Sequence, residues 1–250
     1  MDGFLVPLRE EALARLHFLA DRGRKLGLLR GMAGVGKTSL LRQFMAERRR
    51  LSDDVALLDL TGADGRDLLS QLAHRFDRRR TSDLSRIVLW RAIADRIWAN
   101  HLQRVPTIIL LDNLNLATEE ASSIVLRLLQ LDECAQAKVT VILSVDAHGK
   151  TRLDRRLLER IDLTMQLQPW SEEEVADYLL HQVVRQERGF PAPTHDAAQR
   201  LHELTGGVPR LVTRLVELAL LATRTLEHDS LDAETVELVS QEWTALPAAA

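Results

Sequence analysis

Gly31-Met-Ala-Gly34-Val-Gly36-Lys37-Thr38 fits the pattern G-x-x-x-x-G-K-[ST] in full. Its flanks decide what the match means. Leu26 to Leu29 is a short apolar run that reads as a strand, and Thr38 to Arg49 carries Leu40, Leu41 and Phe44 at helical spacing. A phosphate-cradling loop requires that strand-loop-helix setting. Glycines let the backbone turn its N–H groups around the phosphates, and the following helix adds its positive end to the same anion site. The segment Gly31, Met32, Ala33, Gly34, Val35, Gly36, Lys37, Thr38 and Ser39 is therefore the expected nucleotide cradle. Lys37 is placed to reach the β and γ phosphates and the Thr38 hydroxyl to ligate Mg²⁺, so ATP and Mg²⁺ are the ligands the pattern implies.

Working outward, residues 10 to 23 place Leu13, Leu16, His17 and Ala20 on one helical face, with Gly23 as the stop. Val55 to Leu60 is a second short apolar run between Asp53-Asp54 and Thr61-Gly62. Helical stretches over Arg66 to Phe76 and Asp83 to Leu102 lead to Thr107-Ile-Ile-Leu-Leu111, apolar along its length and ending at Asp112. Such a run suits a central parallel strand. A helix over 118 to 131, a strand over Val139 to Val145, a helix over Leu153 to Arg160 and a strand over Leu163 to Leu167 complete the alternation. This pattern predicts an α/β fold, a parallel five-stranded sheet sandwiched by helices, over residues 1–168.

Past Gln168-Pro169 the strand signals fade, and helices over 171 to 187, 195 to 204, 209 to 226 and 232 to 243 predict a smaller all-helical domain over 169–250. Ser171 with Glu174 forms a capping box, and Gly206-Gly207-Val208-Pro209 closes one helix and opens the next.

Asp112, ending the apolar strand, is the expected partner of Thr38 around the metal ion. Asn113 follows it where hydrolytic members of many such families carry a glutamate that polarises the attacking water. An amide takes no proton, so Asn113 is read as orienting a water by hydrogen bonding, with Glu119 and Glu120 either supplying a carboxylate or simply favouring the first turn of their helix. Ser144 near the end of the next strand is a candidate sensor of the γ-phosphate, with Asp146 two residues on; a plain strand-end turn is the bland alternative. Arg156 and Arg160 are candidates to act on a neighbouring subunit's nucleotide, and Arg210, opening a helix of the second domain, to bridge that domain to the phosphates.

The 250 residues, 46 % hydrophobic, are enough for one or two cores. A formal charge of −3 argues against a generally basic protein, although Arg48-Arg-Arg50 and Arg78-Arg-Arg80 are local candidates for DNA contact, with solvated ends as the ordinary reading. Cys134 is the only cysteine, which excludes an intramolecular disulfide and points to a reducing, cytoplasmic setting. No apolar stretch approaches the ~18 to 20 residues of a membrane span, so a soluble protein is expected. Eight histidines are scattered without metal-ligand spacing, and Trp90 and Trp98 are expected to pack a core.

Together the P-loop, Ile-Ile-Leu-Leu-Asp112, Glu11-Ala-Leu-Ala-Arg-Leu, Gln166-Leu-Gln-Pro-Trp-Ser-Glu-Glu-Glu174 and Gly206-Gly-Val-Pro-Arg210 resemble an AAA+ ATPase of the group that contains ExeA/GspA and the transposition regulators TniB and TnsC. The resemblance covers nearly the whole chain. It implies Lys37 and Thr38 as Walker A, Asp112 as Walker B, Ser144 as sensor 1 and Arg210 as sensor 2 in a helical lid. It also implies a homo-oligomer acting on a protein partner that is free or DNA-associated. The chain departs from the group at Asp112-Asn113, where Asp-Glu is usual, and around Ser144-Val-Asp146. With no peptidoglycan-binding extension after the lid, a full secretion role is not expected. Three readings follow: an ATPase that remodels or recruits a partner, a nucleotide-held switch with little hydrolysis, and a signalling NTPase of the STAND type.

Overall fold

The computed structural model describes residues 6–77, 84–135, 138–148, 153–185, 192–226 and 230–243. Arg78-Arg-Arg80 and the terminal Pro247-Ala-Ala-Ala lie outside the described residues, as do His228 and the start of the helix expected from Asp83. Two compact units are present: one comprises Leu8–Ala33 and Lys37–Leu167, the other Gln168–Ala250 with Met1–Pro7 and Gly34–Gly36.

In the first unit five strands, β1 (Leu26–Gly31), β2 (Asp54–Asp59), β3 (Thr107–Asp112), β4 (Val139–Asp146) and β5 (Leu163–Gln166), form a parallel sheet in the order β2-β3-β4-β1-β5. All six residues of β3 are buried, as a strand covered on both faces requires. One face carries Leu28, Leu58, Ile109, Leu111 and Leu143 into a cluster with Leu68, Leu69 and Leu72 of α3 (Gly65–Asp77), Leu89, Ile93 and Ile97 of α4 (Arg86–Leu102), and Val125 and Leu128 of α5 (Glu119–Ala135). Helices α1 (Pro7–Asp21) and α2 (Lys37–Arg50) supply the fully buried Leu16, Leu19, Leu40, Leu41 and Phe44. Each such side chain contributes about 1.5–3 kcal/mol by leaving water. Leu19 lies against Gly27 of β1, where a Cβ would stand 2.5 Å from its Cδ1, so the helix approaches a strand position without a side chain.

The helix expected over Leu153 to Arg160 shortens to α6 (Arg155–Leu158). Asp154 starts it by accepting from the Arg156 amide at 2.9 Å, and Asp162 stops the chain by joining β1: its amide donates to Leu26 O and its carboxylate accepts from the Lys25 and Leu26 amides. Two further expectations change. Trp90 is core, whereas Trp98 is 49 % exposed and lies beside His101. Arg48 is not on a solvated helix end but buried, hydrogen-bonded to Asp21 and Asp53 at 2.5 Å each. Burial acts to lower its pKa, and the two carboxylates outweigh that effect, so it stands above the ordinary arginine value.

The helical unit comprises α7 (Glu172–Val184), α8 (His195–Thr205), α9 (Pro209–Thr225) and α10 (Ala233–Glu242). Each start has a local cause. Ser171 and Glu174 exchange both capping-box bonds, Thr194 and Asp232 cap α8 and α10 through their side chains, and Pro209 occupies the first turn of α9. Val212, Leu215, Val216 and Ala219 then line the buried stripe of α9 against Val175, Leu179, Leu201 and Val236. Val6 joins this core. Among the described residues, no helix is long and apolar enough to cross a membrane.

Gly207 holds this unit's central turn at φ +67°, and its carbonyl accepts from the Trp170 amide at 2.8 Å. A Cβ there would stand 2.0 Å from the Trp170 carbonyl oxygen, a backbone atom that cannot swing aside. Gly207→Ala is expected to destabilise the helical unit by about 2 kcal/mol, seen as an earlier urea midpoint in far-ultraviolet circular dichroism. An unchanged midpoint would show that the turn yields.

Candidate nucleotide site

Parallel register brings the functional residues to one edge of the sheet. Asp59 pairs with Asp112 across β2 and β3, Leu111 with Leu143 across β3 and β4, and Gly31 with Asp146 across β1 and β4. Asp59, Asp112, Ser144 and the start of the loop therefore lie together at the carboxyl ends of the strands. The chain leaves β1 toward β2 and returns to β5 on the other side of β1, which makes this edge the topological switch point where open α/β sheets bind ligands.

The loop departs from β1 at Gly31 and enters α2 at Lys37. Gly36 takes φ +102°, a backbone state closed to residues with a Cβ, and this turns the chain into the first helical turn. Lys37 is buried, and its Nζ donates to the carbonyls of Gly31 at 2.7 Å and Met32 at 3.0 Å. The ammonium is thus held inside the loop it opens from. Thr38 Oγ1 donates to Asp112 Oδ2 at 2.6 Å, while Ser144 Oγ donates to Asp112 Oδ1. Both oxygens of the buried Asp112 are engaged, one by the loop's hydroxyl and the other by β4. A hydroxyl and a carboxylate converging from different elements are hard oxygen donors of the kind Mg²⁺ prefers.

Asn113 adopts the left-handed conformation, φ 58°, which asparagine tolerates better than most residues. Its amide N–H donates to Ser144 Oγ and Asp112 Oδ1, both at 3.1 Å, and its side-chain Nδ2 donates to Asp59 Oδ1 at 3.0 Å. Thr61 adds its amide at 3.0 Å and its hydroxyl at 2.8 Å to the same Asp59 oxygen. The Asn113 hydrogen bond is the largest effect on the Asp59 carboxyl, and with the smaller contributions of Thr61 it outweighs burial and holds the group below the usual carboxylate value. Thr38, Asp59 and Asp112 share a groove of about 310 Å³ whose rim carries Arg42, Arg49 and Arg75.

The structure thus brings together Lys37, Thr38, Asp112, Asn113 and Ser144. Arg156 and Arg160 stand apart from that cluster. Arg156 is largely exposed and lies 4.0 Å from Asp154, while Arg160 lines a cavity of about 300 Å³ with Gly23, Lys25 and Asp162, where β1 and β5 begin rather than end. Arg210 belongs to the helical unit, exposed in the first turn of α9. Asp146 accepts from the His148 amide as a strand-end turn residue does. Glu120 forms a 2.5 Å ion pair with Arg86 in the first turn of α5. Asp59 does not stand out in the sequence because it lies inside an apolar run, Val55 to Leu60, that reads only as a strand. Its resemblance to Asp112, an acid at the carboxyl end of a β-run, was the available signal.

The family model for the AAA domain matches residues 20–148, from the end of α1 through β4. The chain belongs to the AAA domain family. This AAA domain is also 29 % identical over 223 residues to the general secretion pathway protein A of Aeromonas hydrophila, a match covering 85 % of the chain and 39 % of that protein. The chain therefore spans well under half the length of that relative. Among solved structures it is similar to Cdc6p from Pyrobaculum aerophilum, with a TM-score of 0.75 and 19 % identity over 95 % of this chain and 68 % of that one. The ORC2 protein of Aeropyrum pernix, solved as ADPNP–ADP complexes, gives a TM-score of 0.72 and 14 % identity over 97 % and 70 %. The fold is that of the AAA+ P-loop ATPases, and the resemblance to the ExeA/GspA group is borne out. Membership supports a nucleotide-binding ATPase role.

Proposed function

We propose that this AAA domain binds ATP with Mg²⁺ and couples binding and hydrolysis to a change of shape in a homo-oligomer that acts on a protein partner, free or DNA-associated. The carrying observation is the Thr38 hydroxyl on the Asp112 carboxylate, 2.6 Å away and next in sequence to the buried Lys37. In this reading Thr38 and Asp112 hold Mg²⁺, which when bound neutralises charge on the phosphates. Lys37 leaves its two carbonyls for the β and γ oxygens, the loop from Gly31 to Ser39 cradles the phosphates, and Ser144 fixes the orientation of Asp112. Arg210 serves as the helical unit's sensor, and Arg156 or Arg160 reaches a neighbouring subunit's nucleotide. The setting is expected to be cytoplasmic.

Steady-state ATP hydrolysis across a protein concentration series tests this. Turnover per subunit is expected to rise with concentration. Substituting the trans-acting arginine by Ala should lower it tenfold or more with nucleotide affinity unchanged. Mixing that variant with Lys37→Ala subunits, which keep the arginine, should restore part of the activity. A rate per subunit independent of concentration would sink the oligomeric reading. A second reading, a nucleotide-held switch, is favoured by Asn113 in place of an acid; tight ATP binding without turnover in the wild type would establish it.

A further inference from the structure

Hydrolysis needs a group to orient the attacking water, and the residue after the metal-binding Asp112 is an amide. We infer that Asp59, at the end of β2, is the carboxylate that orients this water and takes its proton, with Asn113 holding it in place. The inference rests on the ATP-hydrolysing reading above.

Position is the first argument. Asp59 is the register partner of Asp112 on the neighbouring parallel strand, so the two backbones are separated by one strand spacing, about 4.8 Å. Both residues line the groove that also contains Thr38. An acid on the adjacent strand end can therefore face the same phosphate edge as an acid one residue beyond Asp112.

The division of labour between its oxygens is the second. Asn113 Nδ2, Thr61 N and Thr61 Oγ1 all donate to Oδ1. Among the described residues Oδ2 accepts no hydrogen bond. One oxygen is fixed by three donors and the other is available to a water, while the residue as a whole is exposed. A local turn would account for the two bonds from Thr61. It would not account for Asn113, 54 positions along the chain, aiming its amide at the same oxygen from a left-handed backbone.

The pairing also explains the amide. A glutamate at 113 would set a second negative charge beside Asp59, and like charges this close resist joint ionisation. Asparagine instead donates, so the acid usual after the Asp of an Asp-Glu pair stands here at the end of the neighbouring strand. In the step itself, the water oxygen bonds to the γ-phosphorus and the bond from that phosphorus to the β,γ-bridging oxygen breaks. The electron pair leaves on ADP, and the water's proton goes to Asp59 Oδ2. Such transfers depend mainly on positioning, so a well-held carboxylate suffices.

The test compares wild type, Asp59→Asn, Asn113→Glu and the double variant Asp59→Asn/Asn113→Glu, measuring ATP turnover, affinity for a fluorescent non-hydrolysable ATP analogue, and urea midpoint. Asp59→Asn keeps the shape and is expected to lower kcat about 10²-fold with affinity and midpoint unchanged. The double variant exchanges amide and acid between the strands and is expected to recover most of that loss, which a merely structural Asp59 would not allow. Asp59→Asn turning over like wild type, losing affinity in step with rate, or resisting rescue in the double variant would overturn the inference alone. A wild type that binds the analogue but hydrolyses no ATP would overturn the hydrolytic reading together with it.

Discussion

Lys37→Ala is expected to lower kcat/KM for ATP about 10³-fold while leaving the fold in place. The ammonium is buried at the entry to α2, where it donates to the Gly31 and Met32 carbonyls at 2.7 and 3.0 Å. Neither carbonyl carries a full charge, so a phosphate arriving in the loop is a stronger partner. The same dry surroundings that make an ammonium costly to bury strengthen its attraction to phosphate oxygens. Losing it removes a charge-assisted contact worth about 2.7–4 kcal/mol where charge builds up in the transition state. Part of the effect should fall on binding, because the β and γ oxygens are already charged in the ground state. Lys37→Arg should rescue poorly, since a planar fork does not fit where a point charge turns between two carbonyls. Turnover and analogue affinity, read beside the urea midpoint, separate these contributions. A variant retaining more than a tenth of wild-type kcat/KM would exclude Lys37 from the phosphates.

What the sequence made legible follows from what repeats or is local. The sheet was readable because β1, β3 and β4 are nearly continuous apolar runs, and covering both faces of a strand leaves no alternation to confuse with an amphipathic helix. The loop was readable because phosphate binding constrains several positions within one short segment, and the capping box at Ser171 because its partners are three residues apart. Contacts across the sheet were not legible in this way. That Ser144 and Asn113 both converge on Asp112, and that Asn113 reaches Asp59, depends on the register of β2, β3 and β4, which no local pattern specifies. Arginines show the same limit. Arg48 reads as one of three surface cations until Asp21 and Asp53, from separate segments, fold around it.

Breaking that triad is expected to cost more stability than losing the Gly207 turn. Arg48→Ala is expected to cost about 3–5 kcal/mol, a large part of the 5–15 kcal/mol typical of a whole domain. The side chains of Arg48 and Asp53 are each only 5 % exposed, whereas that of Asp21 is 63 % exposed and its share is screened by water. The cost therefore lies with Asp53, left as a buried carboxylate without its cation. Burial already pushes the Asp53 carboxyl above its ordinary value despite the opposing pull of Arg48, and removing the guanidinium must push it further. The sign follows from linkage. A carboxyl whose folded pKa exceeds its unfolded one penalises the folded state at neutral pH, and the penalty is relieved as pH falls through the folded value. The deficit of Arg48→Ala against wild type, measured by urea unfolding, should thus be widest near pH 7 and narrower at pH 5. Adding Asp53→Asn to Arg48→Met removes the stranded charge and restores packing, so this double variant should regain most of the loss. A deficit below about 1 kcal/mol that does not change with pH would mean that water reaches Asp53 and that the ion pair joining the end of α2 to the approach of β2 contributes as little as an exposed one.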